Sequence, residues 1–144
     1  MRMLTLFWGL LWRTTWVAGF FQSVLFWATH SFFVANESLF KLRATFTGWA
    51  FAAILILAVV ISRRTIIELM LGSRLQLTAE IWRVINIGVV VIFIVLGGLN
   101  WAIAASMSTD TWMSFKLFWG PGIYLSYMAC LAAWVRYYML RISN

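Results

Sequence analysis

The polar side chains that could do chemistry in this chain are few, and most of them lie within long apolar stretches. One glutamine, Gln22, and two asparagines, Asn86 and Asn100, are surrounded by aliphatic and aromatic residues. Amides in such positions hydrogen-bond to neighbouring helices or contact a ligand or ion. Asn86, Gly97 and Asn100 fall near one face of a single predicted helix. This spacing favours helix packing over a ligand contact.

The sequence holds no arrangement typical of catalysis or of metal binding. The single histidine, His30, has few donors near it, and the single cysteine, Cys130, has no partner for a disulfide or a thiolate site. The centres of the apolar stretches hold no acidic residue, which counts against proton- or sodium-coupled transport. No glycine-rich phosphate loop or HExxH motif is present. We therefore expect no enzyme activity, no cofactor and no metal.

Lys116 is the cation whose role the sequence leaves most open. It lies where the fourth apolar stretch begins. Its aliphatic stem can lie along apolar surface while the ammonium group reaches the lipid headgroups. The alternative is an ion pair with Asp110 or Glu37 that ties neighbouring helix ends together, or a charge offered to a partner protein.

Four apolar stretches must position these residues, and they occupy about residues 14–34, 44–62, 81–105 and 113–139. Each is near or above the ~20 residues that a helix needs to cross a ~30 Å hydrocarbon core. Only 10% of the residues are charged, against about a quarter in a typical soluble domain. The sequence predicts an all-α integral membrane protein, with residues 1–144 forming one compact bundle of four transmembrane helices.

The segments between the stretches complete this predicted bundle. Residues 3–12 are too short to span a bilayer and are predicted to form an interfacial segment or a tilted lead-in to the first span. Residues 65–71 have the pattern of an amphipathic cytoplasmic connector, with Gly72 as its stop, and Thr78 is the predicted N-cap of the third span. Pro121 lacks an N–H group and predicts a kink in the fourth span.

The basic residues predict the orientation of the chain. Its formal charge of +7 comes from lysines and arginines that flank the spans rather than from a basic patch, so we expect no nucleic-acid partner. Eight basic residues fall on one side of the bilayer and three on the other, the three being Lys41, Arg43 and Lys116. The positive-inside rule then places both termini and the connector 63–80 in the cytoplasm.

Every predicted span carries a face of small residues that would allow close helix contact. On the first span, Gln22 shares its face with Ala18 and Gly19. On the second and fourth spans these faces consist of Ala44, Gly48 and Ala52, and of Gly122, Ser126, Cys130 and Ala133. The pattern predicts a bundle packed within itself or against other membrane proteins.

Four short motifs follow one another between residues 40 and 141. Residues 70–77 read M-L-G-x-x-L-x-L, Trp82 and Asn86 form a W-x-x-x-N element, and Gly97 with Asn100 forms a G-x-x-N element. Trp112 to Lys116 is similar to W-V-N-F-K, with Ser114 in place of the asparagine. In this order and spacing the motifs resemble those of the intracellular septation protein A family of Gram-negative inner membranes. Relative to the family, the chain is expected to be shortened at its N-terminus.

The resemblance implies a non-enzymatic inner-membrane protein of envelope maintenance and septation. It would act through helix contacts with division or wall-elongation proteins in the lipid bilayer, with a homo-oligomer also open. Two alternatives remain, namely an accessory subunit of a respiratory or photosynthetic complex and a small transporter or channel. The candidate packing and partner residues are Gln22, Trp82, Asn86, Gly97, Asn100, Trp112 and Lys116.

Overall fold

The computed structural model describes residues 3–34, 37–71 and 77–142, and the regular structure within these ranges is entirely helical. Its long helices are α1 (Met3–Val34), α2 (Glu37–Ser62), α4 (Ala79–Ser106) and α6 (Gly120–Ile142). Two short helices, α3 (Ile66–Leu71) and α5 (Thr109–Ser114), lie between them, and a π-helical turn (Phe115–Trp119) joins α5 to α6. The all-helical class predicted from the sequence is therefore correct.

The core of the bundle forms where α2 packs along α4. Phe51 and Leu55 of α2 are fully buried, as are Ile85 and Val89 of α4. The rings of Phe51 and Phe93 meet edge to face with their centres 4.8 Å apart, an arrangement that aromatic pairs prefer. The helices α1 and α6 also pack on each other.

Two helical stretches of the described part of the chain are long and apolar enough to cross a membrane, Ser38–Ser62 and Ala79–Ser106. They contain the predicted second and third spans. The helices α1 and α6 contain the predicted first span and most of the fourth, but they do not meet the same test of length and composition. Helix α1 is rich in tryptophan and α6 is rich in tyrosine, and the amphipathic rings of both residue types contribute less hydropathy than aliphatic side chains.

Residues 3–12 form the first part of α1, which is 32 residues long without a break. The alternative of a separate interfacial segment is therefore wrong, and that of a lead-in to the first span agrees with the structure. Arg13 does not end the helix, and the chain has no proline there. The side chain of Leu10 is fully buried, which fixes this end of α1 against the bundle. At ~1.5 Å per residue, α1 is roughly 48 Å long and exceeds a ~30 Å hydrocarbon core.

The amphipathic element predicted at residues 65–71 corresponds to α3. Ile67 is buried and Leu69 is exposed, and the Thr65 hydroxyl accepts a hydrogen bond from the Glu68 N–H at 2.9 Å. The predicted stop at Gly72 lies outside the described residues. Thr78 occupies the predicted N-cap position of α4, but its side chain makes no capping hydrogen bond.

A π-helical turn lies immediately before Pro121, where a kink is predicted, and the kink itself stays a prediction. The Gly120 N–H bonds to the carbonyl of Phe115, five residues earlier. Because Pro121 has no N–H group, the carbonyl four residues before it has no normal helical partner. A π turn is one of the ways in which a helix absorbs such a defect. It shifts the register between α5 and α6.

Candidate functional site

The side chain of Asn100 joins α2, α4 and α5 at one end of the bundle, and it is only 5% exposed. Its Nδ2 donates to the carbonyl of Lys41 at 3.0 Å and to the hydroxyl of Thr45 at 2.9 Å. Its Oδ1 accepts from Nε1 of Trp112 at 3.0 Å. Both donors of the amide and one of its two acceptor positions are therefore occupied by groups of the same chain.

Thr45 extends this network to Gly97. The Thr45 hydroxyl, which is 1% exposed, donates to the carbonyl of Gly97 at 3.0 Å. The hydrogen bonds thus run from Trp112 through Asn100 and Thr45 to the backbone of α4. None of these groups titrates near neutral pH, so the network fixes helix positions and offers no acid or base.

Trp49 makes the contact that explains the glycine at position 97. Its Nε1 donates to the carbonyl of Ile94 at 3.2 Å, and its ring lies directly on Gly97. A Cβ atom at position 97 would be 2.5 Å from Nε1 and 2.7 Å from Cδ1 of Trp49. Gly97 is therefore needed for the close approach of an indole. Trp49 is not among the residues predicted from the sequence, although a tryptophan within an apolar stretch needs a hydrogen-bond acceptor when it is buried.

Lys116 lies on the aromatic side of the network. Its Nζ is 4.9 Å from the ring centre of Trp112 and 5.9 Å from that of Phe40, within the range of a cation–π contact. Among the described residues Lys116 forms no ion pair with Asp110, and the side chain of Glu37 lies outside them. The alternative of an ion pair with Asp110 is therefore not observed, and the ammonium group contacts two rings instead.

Trp82 and Asn86 lie toward the other end of α4, away from the Asn100 network. Both are buried, at 2% and 4% exposure. They are core residues, and Oδ1 of Asn86 accepts no hydrogen bond from any described residue. Asn86 and Asn100 are separated by 14 positions, which is roughly 21 Å along a helix. The structure therefore does not bring the two amides into one site.

Gln22 of α1 is exposed and lines the same cavity as Lys116. The side chain of His30 lies outside the described part of the chain. Five of the seven candidate residues are buried in the bundle, whereas Gln22 and Lys116 reach its surface.

The face of small residues on α6 points outward rather than into the bundle. All four of its members are exposed: Gly122, Ser126, Cys130 and Ala133. The opposite side of α6 is buried through Met128, Ala132 and Val135. Of the two expectations for this face, packing within the bundle is wrong, and contact with another protein remains a proposal.

The contact between Trp49 and Gly97 predicts that replacement of two adjacent glycines by alanine has different effects on the stability of the protein. In Gly97→Ala the new methyl group displaces Trp49 and breaks its bond to Ile94, so we expect a loss of about 1–2 kcal/mol. Gly98 has no atom within 4 Å of an added Cβ, and Gly98→Ala should be neutral or stabilising by up to ~1 kcal/mol. Thermal unfolding in mild detergent measures both, and a shift of the same sign in the two variants would contradict the contact.

The bond between Asn100 and Trp112 predicts thermodynamic coupling between them. A double-mutant cycle with Asn100→Leu and Trp112→Phe should give a coupling free energy of roughly 0.5–1.5 kcal/mol. Trp101 is the matched control, since it is adjacent in sequence but 54% exposed. The effects of Trp101→Phe and Asn100→Leu on the free energy of unfolding should be additive. Equal coupling free energies in the two cycles would contradict the hydrogen bond between Asn100 and Trp112.

Comparison with known proteins identifies relatives of the chain. The family model described as intracellular septation protein A matches residues 2–141. The chain is 34% identical to the inner membrane-spanning protein YciB of Paraburkholderia phymatum, over 72% of this chain and 59% of the relative. It is 36% identical to YciB of Dechloromonas aromatica, over 65% of the chain and 46% of the relative.

A third relative, YciB of Herminiimonas arsenicoxydans, is 30% identical over 73% of the chain and 51% of the relative. The chain thus spans about half the length of the curated relatives that it matches. No solved structure matches. The names of these relatives and the two span-like helices support a bacterial inner-membrane location. The resemblance seen in the sequence motifs is confirmed, and the chain belongs to the intracellular septation protein A family.

Proposed function

We propose that the chain is a non-enzymatic protein of the bacterial inner membrane that serves septation and envelope maintenance through helix contacts with other membrane proteins. The observation that carries this proposal is the family match over residues 2–141. The Asn100 network supports a structural role, because its groups are neutral and already engaged with one another. Such a network holds a surface in a fixed shape.

The proposal includes four membrane-spanning helices, with α1 and the α5–α6 segment crossing the bilayer beside α2 and α4. The support comes from large aromatic side chains that α1 leaves exposed. They are exposed by 54–83% and comprise Trp8, Trp12, Trp16, Phe20 and Trp27. A contiguous apolar surface of this kind is rare on a soluble monomer, whereas lipid solvates it without cost.

The outward face of α6 is the surface that we propose for contact with a partner helix. Within a membrane, helices associate where small residues let their backbones approach closely. Gly122 has no atom within 4 Å of an added Cβ, and Cys130 is exposed on the same face. From Gly122 to Ala133 the face extends roughly 16 Å along the helix, about half of the hydrocarbon core.

Cys130 allows the function to be tested without a new cysteine, because it is the only one in the chain. A thiol-directed photo-crosslinker attached to Cys130 in native membranes should capture a division or wall-elongation protein. The bulky double variant Ser126→Leu/Ala133→Leu should reduce that adduct severalfold while leaving the protein monodisperse in detergent. Mass spectrometry of the adducts is the readout.

The matched control moves the thiol to another exposed position of the same helix, as in Cys130→Ser/Leu125→Cys. Leu125 is 45% exposed and lies off the small-residue face, so its adduct with that partner should be weaker. Capture of subunits of a bioenergetic complex would replace the proposed role with that of an accessory subunit. Adducts with lipid alone would refute the contact.

The topology within this proposal follows from the eight-to-three division of basic residues. Reporter fusions after Ser73 and after Asn144 should report the cytoplasm, and a fusion after Ser108 should report the periplasm. Ser108 lies between α4 and α5 and is exposed, so it is a suitable junction. A periplasmic signal from either of the first two fusions would overturn the orientation.

A further inference from the structure

Two adjoining cavities lie between α1, α2, α4 and the π-helical turn. The first has a volume of about 510 Å³, and its polar lining comes from Gln22, Ser23, Arg43, Thr47 and Lys116. The second has a volume of about 370 Å³ and a more apolar lining. The two share Gln22 and Lys116, so a polar compartment adjoins an apolar one.

The charge of the first cavity has a single sign. Arg43 and Lys116 both line it, and no described carboxylate does. Two cations that face a common, partly desolvated space repel each other more strongly than they would in water. An anion between them would replace this repulsion with two attractions.

The hydrogen-bonding groups of the first cavity suit a phosphate. The guanidinium of Arg43 and the ammonium of Lys116 supply N–H donors, and Arg matches phosphate geometry in particular. The hydroxyls of Ser23 and Thr47 are already donating to backbone carbonyls of their own helices. Gln22 is therefore the neutral side chain whose amide can add a further donor.

The second cavity indicates that the phosphate belongs to an amphiphile. Away from Gln22 and Lys116, which it shares with the first cavity, its lining is mainly apolar and includes Phe93, Leu96, Phe115 and Pro121, which offer no charge to a soluble anion. A ligand with an anionic head and an apolar tail would occupy both compartments at once. In a membrane the abundant molecule with this chemistry is a phospholipid.

We infer that the cavity between α1, α2 and the π-helical turn binds the phosphate headgroup of an anionic phospholipid through Arg43, Lys116 and Gln22, with part of an acyl chain beside Phe93 and Phe115. The inference rests on the membrane location in the proposed function, but not on the partner contact of α6. The site would face the leaflet on the predicted periplasmic side.

Binding can be measured on the purified full-length protein by native mass spectrometry in mild detergent, with titration of phosphatidylglycerol and of zwitterionic phosphatidylethanolamine. We expect a preference for phosphatidylglycerol that falls about tenfold or more in Arg43→Gln/Lys116→Gln. The control Arg63→Gln/Arg64→Gln removes the same charge from two exposed residues at the far end of α2 and should leave binding unchanged.

A second variant keeps both charges and fills the space. Gly19 lines both cavities and has no atom within 4 Å of an added Cβ, so Gly19→Leu should fold normally and still weaken phosphatidylglycerol binding. Equal affinity for the two lipids, or equal loss in the Arg63 and Arg64 control, would overturn the site. Inorganic phosphate that displaces the lipid at comparable concentration would overturn the role of the apolar cavity and reassign the site to a soluble anion.

The outcome is independent of the partner test at Cys130. Loss of lipid preference with an intact Cys130 adduct would refute only the lipid site, and the reverse result would refute only the partner contact. Detergent monodispersity of each variant shows that it remains folded before its binding is compared.

Discussion

The buried amide of Asn100 is the constraint on which this end of the molecule depends. A polar group that leaves water must find hydrogen-bond partners, or folding costs several kcal/mol. Asn100 finds them on α2, through Lys41 and Thr45, and on α5, through Trp112. These bonds fix the position of α2 along α4. They also fix the position at which the chain must turn back toward the bundle after Met107.

The position at which the chain returns also determines where the ammonium group of Lys116 lies. Trp112 lies in α5 and Lys116 in the π-helical turn that follows it, and Nζ of Lys116 lies over the indole that Asn100 holds. The π-helical turn then shifts the register before Pro121. The ammonium group of Lys116, which lines the charged cavity, is consequently 4.9 Å from the ring centre of a tryptophan that belongs to the neutral network.

The sequence predicted the all-helical class and the approximate positions of the long helices, because the length of an apolar stretch is a local property. It also grouped Gly97 with Asn100 on one helical face, since that face follows from spacing alone. The bond from Trp112 to Asn100 was not predictable, because it depends on the backbone path through Met107 and Ser108. The outward direction of the α6 face was missed for a related reason. Small residues show that another helix could approach closely, but only the packing of the bundle shows which side of α6 is buried.

The division of side chains into buried and exposed ones determines which residues can contact lipid or another protein. Trp82, Gly97, Asn100 and Trp112 are occupied by contacts within the chain, so a partner cannot reach them without opening the bundle. Contacts with other molecules must come from outward faces, and these differ in kind. The wide aromatic surface of α1 suits lipid, which needs no fixed geometry, whereas the narrow face of small residues on α6 lets one backbone approach another. The Asn100 network holds α5 through Trp112, and the π-helical turn leads from α5 into α6. The hydrogen bonds of Asn100 are thus connected along the chain to the surface that we propose for septation partners.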